Sequence, residues 1–265
     1  AVRRLKAEPL EEPSQGLSAK DRGSLLHDIL FRLWRQWDNS SSLYNLTSAA
    51  LHEILTETIN ETLHEFIPRH SILRGNRYRA LEQTRLEKLL LAWLELEKQR
   101  PPFSVIDLEC SQRLRFGDLE ISLKLDRIDS VDGDLVVIDY KSGEVTASHW
   151  HGDRPKDPQL PLYVLASEPQ AKGCAFAQVK AGKIKFTGTS ESELIADVKP
   201  LDSWDAQVSQ WQSAIKGLAD EFTSGVAQVE VFDTGSFQYQ THLLPLNRWH
   251  EESDINTELL NKSNQ

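Results

Sequence analysis

The sequence predicts an α/β fold in which a mixed sheet is flanked by helices and preceded by a helical subregion. Two observations predict it. Apolar residues recur at helical spacing through roughly the first hundred residues, and the period then changes, after Pro101-Pro102, to short strands separated by tight turns. The helical period returns near 157–167 and again over 201–224. That order of strands and helices is the pattern of a sheet covered by helices.

Residues 1–17 are polar, contain Pro9, Pro13 and Gly16, and read as a tail or linker. Ser18 with Asp21 three residues later resembles a capping box, and Leu26, Ile29, Leu30, Leu33 and Trp34 then fall on one helical face. Asp38 to Ser42 breaks that helix. A second helix, 47–67, carries Leu51, Ile54, Leu55, Ile59, Leu63 and Phe66 and ends at Pro68. A third runs from about 77 to 99 with Leu81, Leu86, Leu89, Leu90, Trp93 and Leu94 inward. These three helices make up a helical region, 18–100.

Strands follow at 103–109, 114–116, 119–126 and 135–140, forming a meander of about three antiparallel strands. Phe116-Gly117-Asp118 and Asp132-Gly133-Asp134 supply the turns. Asp157 to Ser167 is helical, and strands at 174–179 and 184–187 join through Ala181-Gly182. The last amphipathic helix points Trp204, Val208, Trp211, Ile215, Leu218 and Phe222 inward. The core domain therefore spans 101–230, and 231–265 is a tail without clear period.

Bulk properties limit the function. At 265 residues and 39% hydrophobic content the chain can bury a sizeable core. No apolar run approaches the roughly 18–20 residues that span a bilayer, so no membrane partner is expected. Glu8, Glu11 and Glu12 stand where a secretory signal would have its apolar region. Cys110 and Cys174 are too few for a disulfide framework and read as buried thiols of a cytoplasmic protein. The absence of methionine, even at position 1, is expected of a piece of a longer polypeptide. A formal charge of −10 disfavours a general nucleic-acid binder but not an enzyme whose metal site concentrates carboxylates. No Gly-rich Walker loop is present, so no ATPase is expected of this chain.

The most informative stretch is Leu119 to Gly143, LEISLKLDRIDSVDGDLVVIDYKSG. Asp126 lies near the end of one strand. Asp139 lies late in the next, thirteen residues on across a tight turn. Such a hairpin can bring the two carboxylates together. Lys141, two residues after Asp139, points to the same face of the strand. Paired hard oxygen donors suit Mg²⁺, and a neighbouring lysine can position water or offset developing charge. The plainer reading is that Asp126 and Asp139 pair with Arg127 or Lys141 as strand-end salt bridges.

With those residues in place, the local strings Leu125-Asp126-Arg127-Ile128-Asp129 and Ile138-Asp139-Tyr140-Lys141-Ser142-Gly143 resemble the RecB-type branch of the PD-(D/E)xK nuclease superfamily. Gly23-Ser24-Leu25-Leu26-His27 resembles the G-x-x-x-H motif of that branch, and Gln159-Leu160-Pro161-Leu162-Tyr163 its Q-x-x-x-Y helix. The resemblance covers about 18–190. It implies a restriction-endonuclease-like core, with Asp126, Asp139 and Lys141 catalytic. It implies a metal held by His27, Asp126, Asp139 and the Tyr140 carbonyl, and Gln159 and Tyr163 beside the site and the DNA. The expected cofactor is Mg²⁺, with Mn²⁺ able to substitute. The expected activity is DNA cleavage, exonuclease rather than endonuclease, in repair or recombination. The expected partners are DNA and a helicase domain or subunit of a larger complex.

Two departures qualify the resemblance. Lys124 stands where this branch usually has glycine. Many AddB-like relatives also hold an iron–sulfur cluster with four cysteines, whereas here Gln238, Thr241 and Asn247 occupy the remnant of the terminal pattern and no cysteine precedes His27. No iron–sulfur cluster is expected. The alternative reading is a catalytically inactive nuclease fold that binds DNA or serves as a scaffold. Among weaker candidates, His149 and His151 read as loop residues, Asp129, Asp132 and Asp134 as turn residues, and Glu109 as a strand-end acid near the site.

Overall fold

The computed structural model of the chain describes residues 16–226. The chain divides after Asp220 into a first and a second unit, the second lying mostly outside the described residues. In the first, helix α1 (Ala19–Trp37) is followed by the short α2 (Ser40–Tyr44), α3 (Ser48–Phe66) and α4 (Asn76–Glu97). Strands β1 (Ser104–Phe116), β2 (Leu119–Val131) and β3 (Asp134–Lys141) come next, then α5 (Gln159–Ala166), β4 (Gly173–Lys180) and β5 (Lys183–Ser190). Helix α6 (Trp204–Thr223) ends the described part.

Local chemistry accounts for the boundaries. The Ser18 hydroxyl caps α1 by accepting from the Asp21 amide at 3.1 Å and donates to the Asp21 carboxylate at 2.7 Å. The Thr47 side chain caps α3 in the same way through Ala50. The β2–β3 hairpin turns on Asp132 and Gly133, both at positive φ (51° and 94°), the conformation a two-residue turn between twisted strands requires.

The sheet order is β1-β2-β3-β4-β5. All neighbours are antiparallel except β3 and β4, which run parallel because α5 crosses over between them. One face of the sheet, with Val136, Ile138, Tyr140, Ala175 and Ala177, packs on α1, α3 and α4. The other, with Val137, Cys174 and Phe176, packs on α5 and α6 through Leu160, Val164, Trp204 and Trp211. The mixed sheet flanked by helices is the fold class expected from the sequence.

The sequence reading differs from the structure in several places. The expected strands 103–109 and 114–116 are one strand, β1. β2 continues past Asp126 to Val131. Along β1, Leu108 packs toward the α1/α3/α4 face but Cys110 toward the opposite one. Along β2, Leu123 and Leu125 pack on the α5/α6 side, while Val131 packs on the other. Residues two apart should share a face, so the β1–β2 ribbon changes face near Glu109 and Asp126. Glu109 accordingly has φ +53°. The alternation breaks there, although the register of the flanking pairs, Leu108↔Arg127 and Cys110↔Leu125, is unchanged. Leu81 and Phe222, expected inward, are exposed, and Cys110, expected buried, is only partly so. On α4 the face that packs carries Tyr78 and Glu82 instead of Leu81, because Glu82 accepts from Arg22 and Tyr78.

Asp129 is no turn residue. It is fully buried and holds the Arg127 guanidinium through both carboxylate oxygens at 2.6 and 2.8 Å. Arg127 also donates to Glu97 (2.8 Å) and to the Tyr140 hydroxyl (2.9 Å), and it stacks 3.8 Å from the Trp34 ring centroid. Arg100 joins Glu97 and Asp129 at 2.8 Å each. Burial disfavours the charge on Arg127, but Asp129 and Glu97 overcome it and raise its pKa. Arg127→Met leaves the two acids buried with half their counter-charge. It is expected to destabilise the protein by about 3–5 kcal/mol in urea denaturation, whereas Lys216→Ala, at an exposed pair, should change stability by no more than about 0.5 kcal/mol.

Candidate active site

The site lies where β2 and β3 meet the N-terminal half of α1 and the start of α5. Ladder pairing runs to Arg127↔Ile138, so the next positions, Asp126 and Asp139, face each other across the hairpin. Asp126 accepts from the Tyr140 amide at 2.8 Å. Asp139 is 2% exposed and projects to the α5 side, as does Lys141. Tyr140 projects the other way, with its hydroxyl in the Arg127 network.

His27 arrives from α1. Its Nε2 lies 2.8 Å from the Tyr140 carbonyl, which can only accept, so Nε2 carries the proton of that bond. Nδ1 then faces the Asp126 carboxylate at 3.4 Å. Gly23, one turn earlier, makes the approach possible. A Cβ there would come within 3.3 Å of the Ser142 hydroxyl just beyond β3. The spacing of Gly23 and His27 thus has a steric cause: helix α1 lies close on the end of β3.

Lys141 Nζ lies 2.7 Å from Asp139 Oδ2, donates to Gln159 Oε1 at 2.6 Å, and sits 4.9 Å above the Phe176 ring. The Gln159 amide nitrogen donates to Asp139 Oδ1 and to the Tyr163 hydroxyl, both at 2.6 Å. Tyr163 donates to the Lys124 carbonyl at 2.8 Å. Gln159 and Tyr163, expected beside the site, are therefore engaged within it: Gln159 ties the Asp139 carboxylate to the Lys141 ammonium, and Tyr163 ties both to β2. Gln178 donates to the Gly143 carbonyl at 2.6 Å and fixes the chain just after Lys141.

Burial, and then the Asp126 charge, push the Asp139 carboxyl up to about 6, with Lys141 and His27 opposing. Burial lowers the His27 pKa, but the hydrogen bond and charge of Asp126, with Asp139 beyond, raise it overall. Burial pushes the Tyr163 hydroxyl up.

The donor set fits a divalent cation. The contact of Lys141 with Asp139 Oδ2 is close but poorly directed, and this buried oxygen has no hydrogen-bond partner. Nδ1 of His27 and the Asp126 carboxylate, two acceptors at 3.4 Å, need a proton or a cation between them. A buried acceptor without a partner is costly. Two carboxylates, an imidazole and a backbone carbonyl are suitable ligands. Asp126 and His27 open onto a groove of about 760 Å³ that Lys20, Phe31, Glu109 and Lys124 also line.

Sequence reasoning left Glu109 at the margin. The structure brings its carboxylate together with His27 and Asp126, ligand atoms within 4.8 Å of one another. The signal lay in the ladder arithmetic, since Leu108↔Arg127 and Cys110↔Leu125 put Glu109 opposite Asp126. His149 lies in a short 3-10 helix (Ala147–Trp150) before α5 and His151 just after it, and Trp150 between them packs under α6. The positions Gln238, Thr241 and Asn247 lie outside the described residues. No helix among the described residues is long and apolar enough to cross a membrane.

The profile of the PD-(D/E)XK nuclease superfamily matches residues 1–235, and the chain belongs to that superfamily. No curated protein matches it. Among solved structures, one titled "Crystal structure of SSO0001" is similar over 78% of each chain at 14% identity, with a TM-score of 0.23. That likeness is too distant to inform the site.

Asp139 has a consequence for metal-free stability. Its folded-state pKa of about 6 exceeds the ordinary aspartate value of 3.8, so the folded state holds its proton longer than the unfolded chain does. Stability should therefore fall as pH rises from about 4 to 6. Asp139→Asn removes this cost. In EDTA at pH 8 it should gain about 1–2 kcal/mol over the parent, with the difference vanishing below about pH 4. Thermal melts across that range read the effect.

Proposed function

We propose that this chain is the nuclease portion of a RecB-type DNA-processing protein, a Mg²⁺-dependent deoxyribonuclease acting from DNA ends in repair or recombination. The observation that carries the reading is the buried Asp139 carboxylate, whose charge burial disfavours, paired with Lys141 directly and through Gln159 and set across from the His27–Asp126 pair. A scaffold has no use for that cost, whereas a phosphodiesterase has.

His27, Asp126, Asp139 and the Tyr140 carbonyl would hold the cation, with Mg²⁺ favoured by the oxygen donors and Mn²⁺ able to replace it. When bound, the cation supplies Lewis acidity, acidifying water and offsetting charge on the phosphoryl group. Lys141 donates from its ammonium to the attacking water or to a phosphate oxygen, held in line by Asp139, Gln159 and the Phe176 ring. Water adds to phosphorus, the bond to the leaving sugar oxygen breaks, and that oxygen takes up a proton. Gln159 and Tyr163 act beside the DNA by keeping Asp139 and Lys141 in register. The −10 charge favours a partner, a helicase domain or subunit, that holds the DNA. No iron–sulfur cluster enters this reading.

End-labelled single- and double-stranded DNA, incubated with Mg²⁺ or with EDTA, tests it. Cleavage from the ends is expected in Mg²⁺ and none in EDTA. Asp139→Ala and Lys141→Ala should each lower the rate by about a thousandfold or more while the fold persists. Gln159→Ala should lower it by about 10–100-fold, as loss of an orienting partner does. Parent-like cleavage by Asp139→Ala or Lys141→Ala would overturn the assignment, and a parent that neither cuts nor binds Mn²⁺ would favour the scaffold reading.

A further inference from the structure

Glu109 and Lys124 have roles that the catalytic set above leaves open. Glu109 sits on β1 directly across from Asp126 on β2. One ligand atom each from His27, Glu109 and Asp126 lies within 4.8 Å of the others, although the three residues come from three different elements. The cluster is more than an acidic patch, for two reasons. It includes an imidazole whose Nδ1 faces a carboxylate. It also stands across the β2–β3 hairpin from the buried Asp139 carboxylate, which Lys141 pairs.

A cationic group already stands at this cluster. The Lys124 ammonium forms an ion pair with the Glu109 carboxylate at the mouth of the groove, with the lysine side chain 65% exposed and the glutamate 25%. The hydrogen bond to Glu109 is the first cause of the raised pKa of Lys124. The lysine backbone is fixed by its carbonyl, which accepts from Tyr163. Its exposed side chain thus reaches the groove from a backbone anchored in the site.

We propose that Glu109 is a further ligand of the divalent cation and that Lys124 is the internal counter-ion that the cation displaces. The inference rests on the metal-dependent reading of the site. Hard cations take several oxygen ligands, and their affinity rises with the number of carboxylates. Glu109 adds a third carboxylate to Asp126 and Asp139, from a strand that otherwise contributes nothing to the site. Displacement has a second effect. Released from Glu109, the Lys124 ammonium lies at the mouth of the same groove as Lys20, where a DNA phosphate is its natural partner. Metal loading and phosphate binding are thereby coupled through one lysine.

Mn²⁺ titration of the full chain, by calorimetry and by the loss of the free-ion electron-paramagnetic signal, tests this without reference to cleavage. Five proteins are compared: the parent, Glu109→Gln, Lys124→Ala, the double variant and Asp126→Asn. Glu109→Gln should weaken Mn²⁺ binding by about tenfold or more, as loss of a charged ligand does. Lys124→Ala keeps Glu109 and removes its competitor, so it should tighten binding by about three- to tenfold. In the double variant that gain should disappear. Opposite effects from two neighbouring substitutions are not what loss of structure produces. Lys124→Ala carries the test alone if Glu109→Gln does not fold, as judged by melting in EDTA. Parent-like binding by Glu109→Gln, or unchanged or weaker binding by Lys124→Ala, overturns the proposal. If Asp126→Asn loses Mn²⁺ in that case, the metal-dependent reading stands without Glu109. If Asp126→Asn binds as the parent does, both fall.

Discussion

The guanidinium of Arg127 is the constraint on which the rest of this structure depends. A cation with no solvent contact must be matched on every side. Here the match comes from Asp129 on its own strand, Glu97 at the end of α4, Tyr140 on β3 and the face of Trp34 on α1. Four elements are thus held to one planar group. Arg100, also without exposed side-chain surface, balances the second acid. Such a cluster is not a large source of stability relative to a well-packed apolar core. Its value is geometric, because Asp129, Glu97 and Tyr140 meet the Arg127 guanidinium in one mutual arrangement.

That geometry is transmitted to the chemistry by adjacency in sequence. Asp126 precedes Arg127, and Asp139 precedes Tyr140. Fixing Arg127 and Tyr140 therefore fixes the acid that precedes each of them. His27 comes from the same helix as Trp34, which lies against the guanidinium. The helix cannot shift along β3 without disturbing both the stacking on Arg127 and the bond to the Tyr140 carbonyl.

Much of this was legible in the sequence, and for physical reasons. The capping pair Ser18 and Asp21, the Asp132-Gly133 turn and the buried run before Asp139 are short-range signals, set by local hydrogen bonding and pleat. The pairing of Asp126 with Asp139 followed from hairpin length alone. The Arg127 cluster did not, since Glu97, Arg100 and Asp129 meet only through tertiary packing. Asp129 in particular reads as a turn residue when its partner is unknown. The ends expected at Glu109 and Asp126 had a real cause misassigned. The alternation does stop there, but a change of face stops it while the strands pair on in the same register. Leu81 shows the opposite error: an apolar residue at the right period, on a stretch of helix where a buried glutamate decides which face turns inward.

Tyr140 carries a consequence for how this protein tolerates change. Its ring belongs to the buried ionic cluster, while its amide and carbonyl hold Asp126 and His27. One residue therefore speaks to the core through its side chain and to the site through its backbone. Substitutions among Arg127, Asp129 and Glu97 will reach the groove by that route, without any of these side chains lining it. Drift in this cluster would have to be concerted, one member compensating another, and so the innermost and least visible part of the domain should be among the slowest to vary.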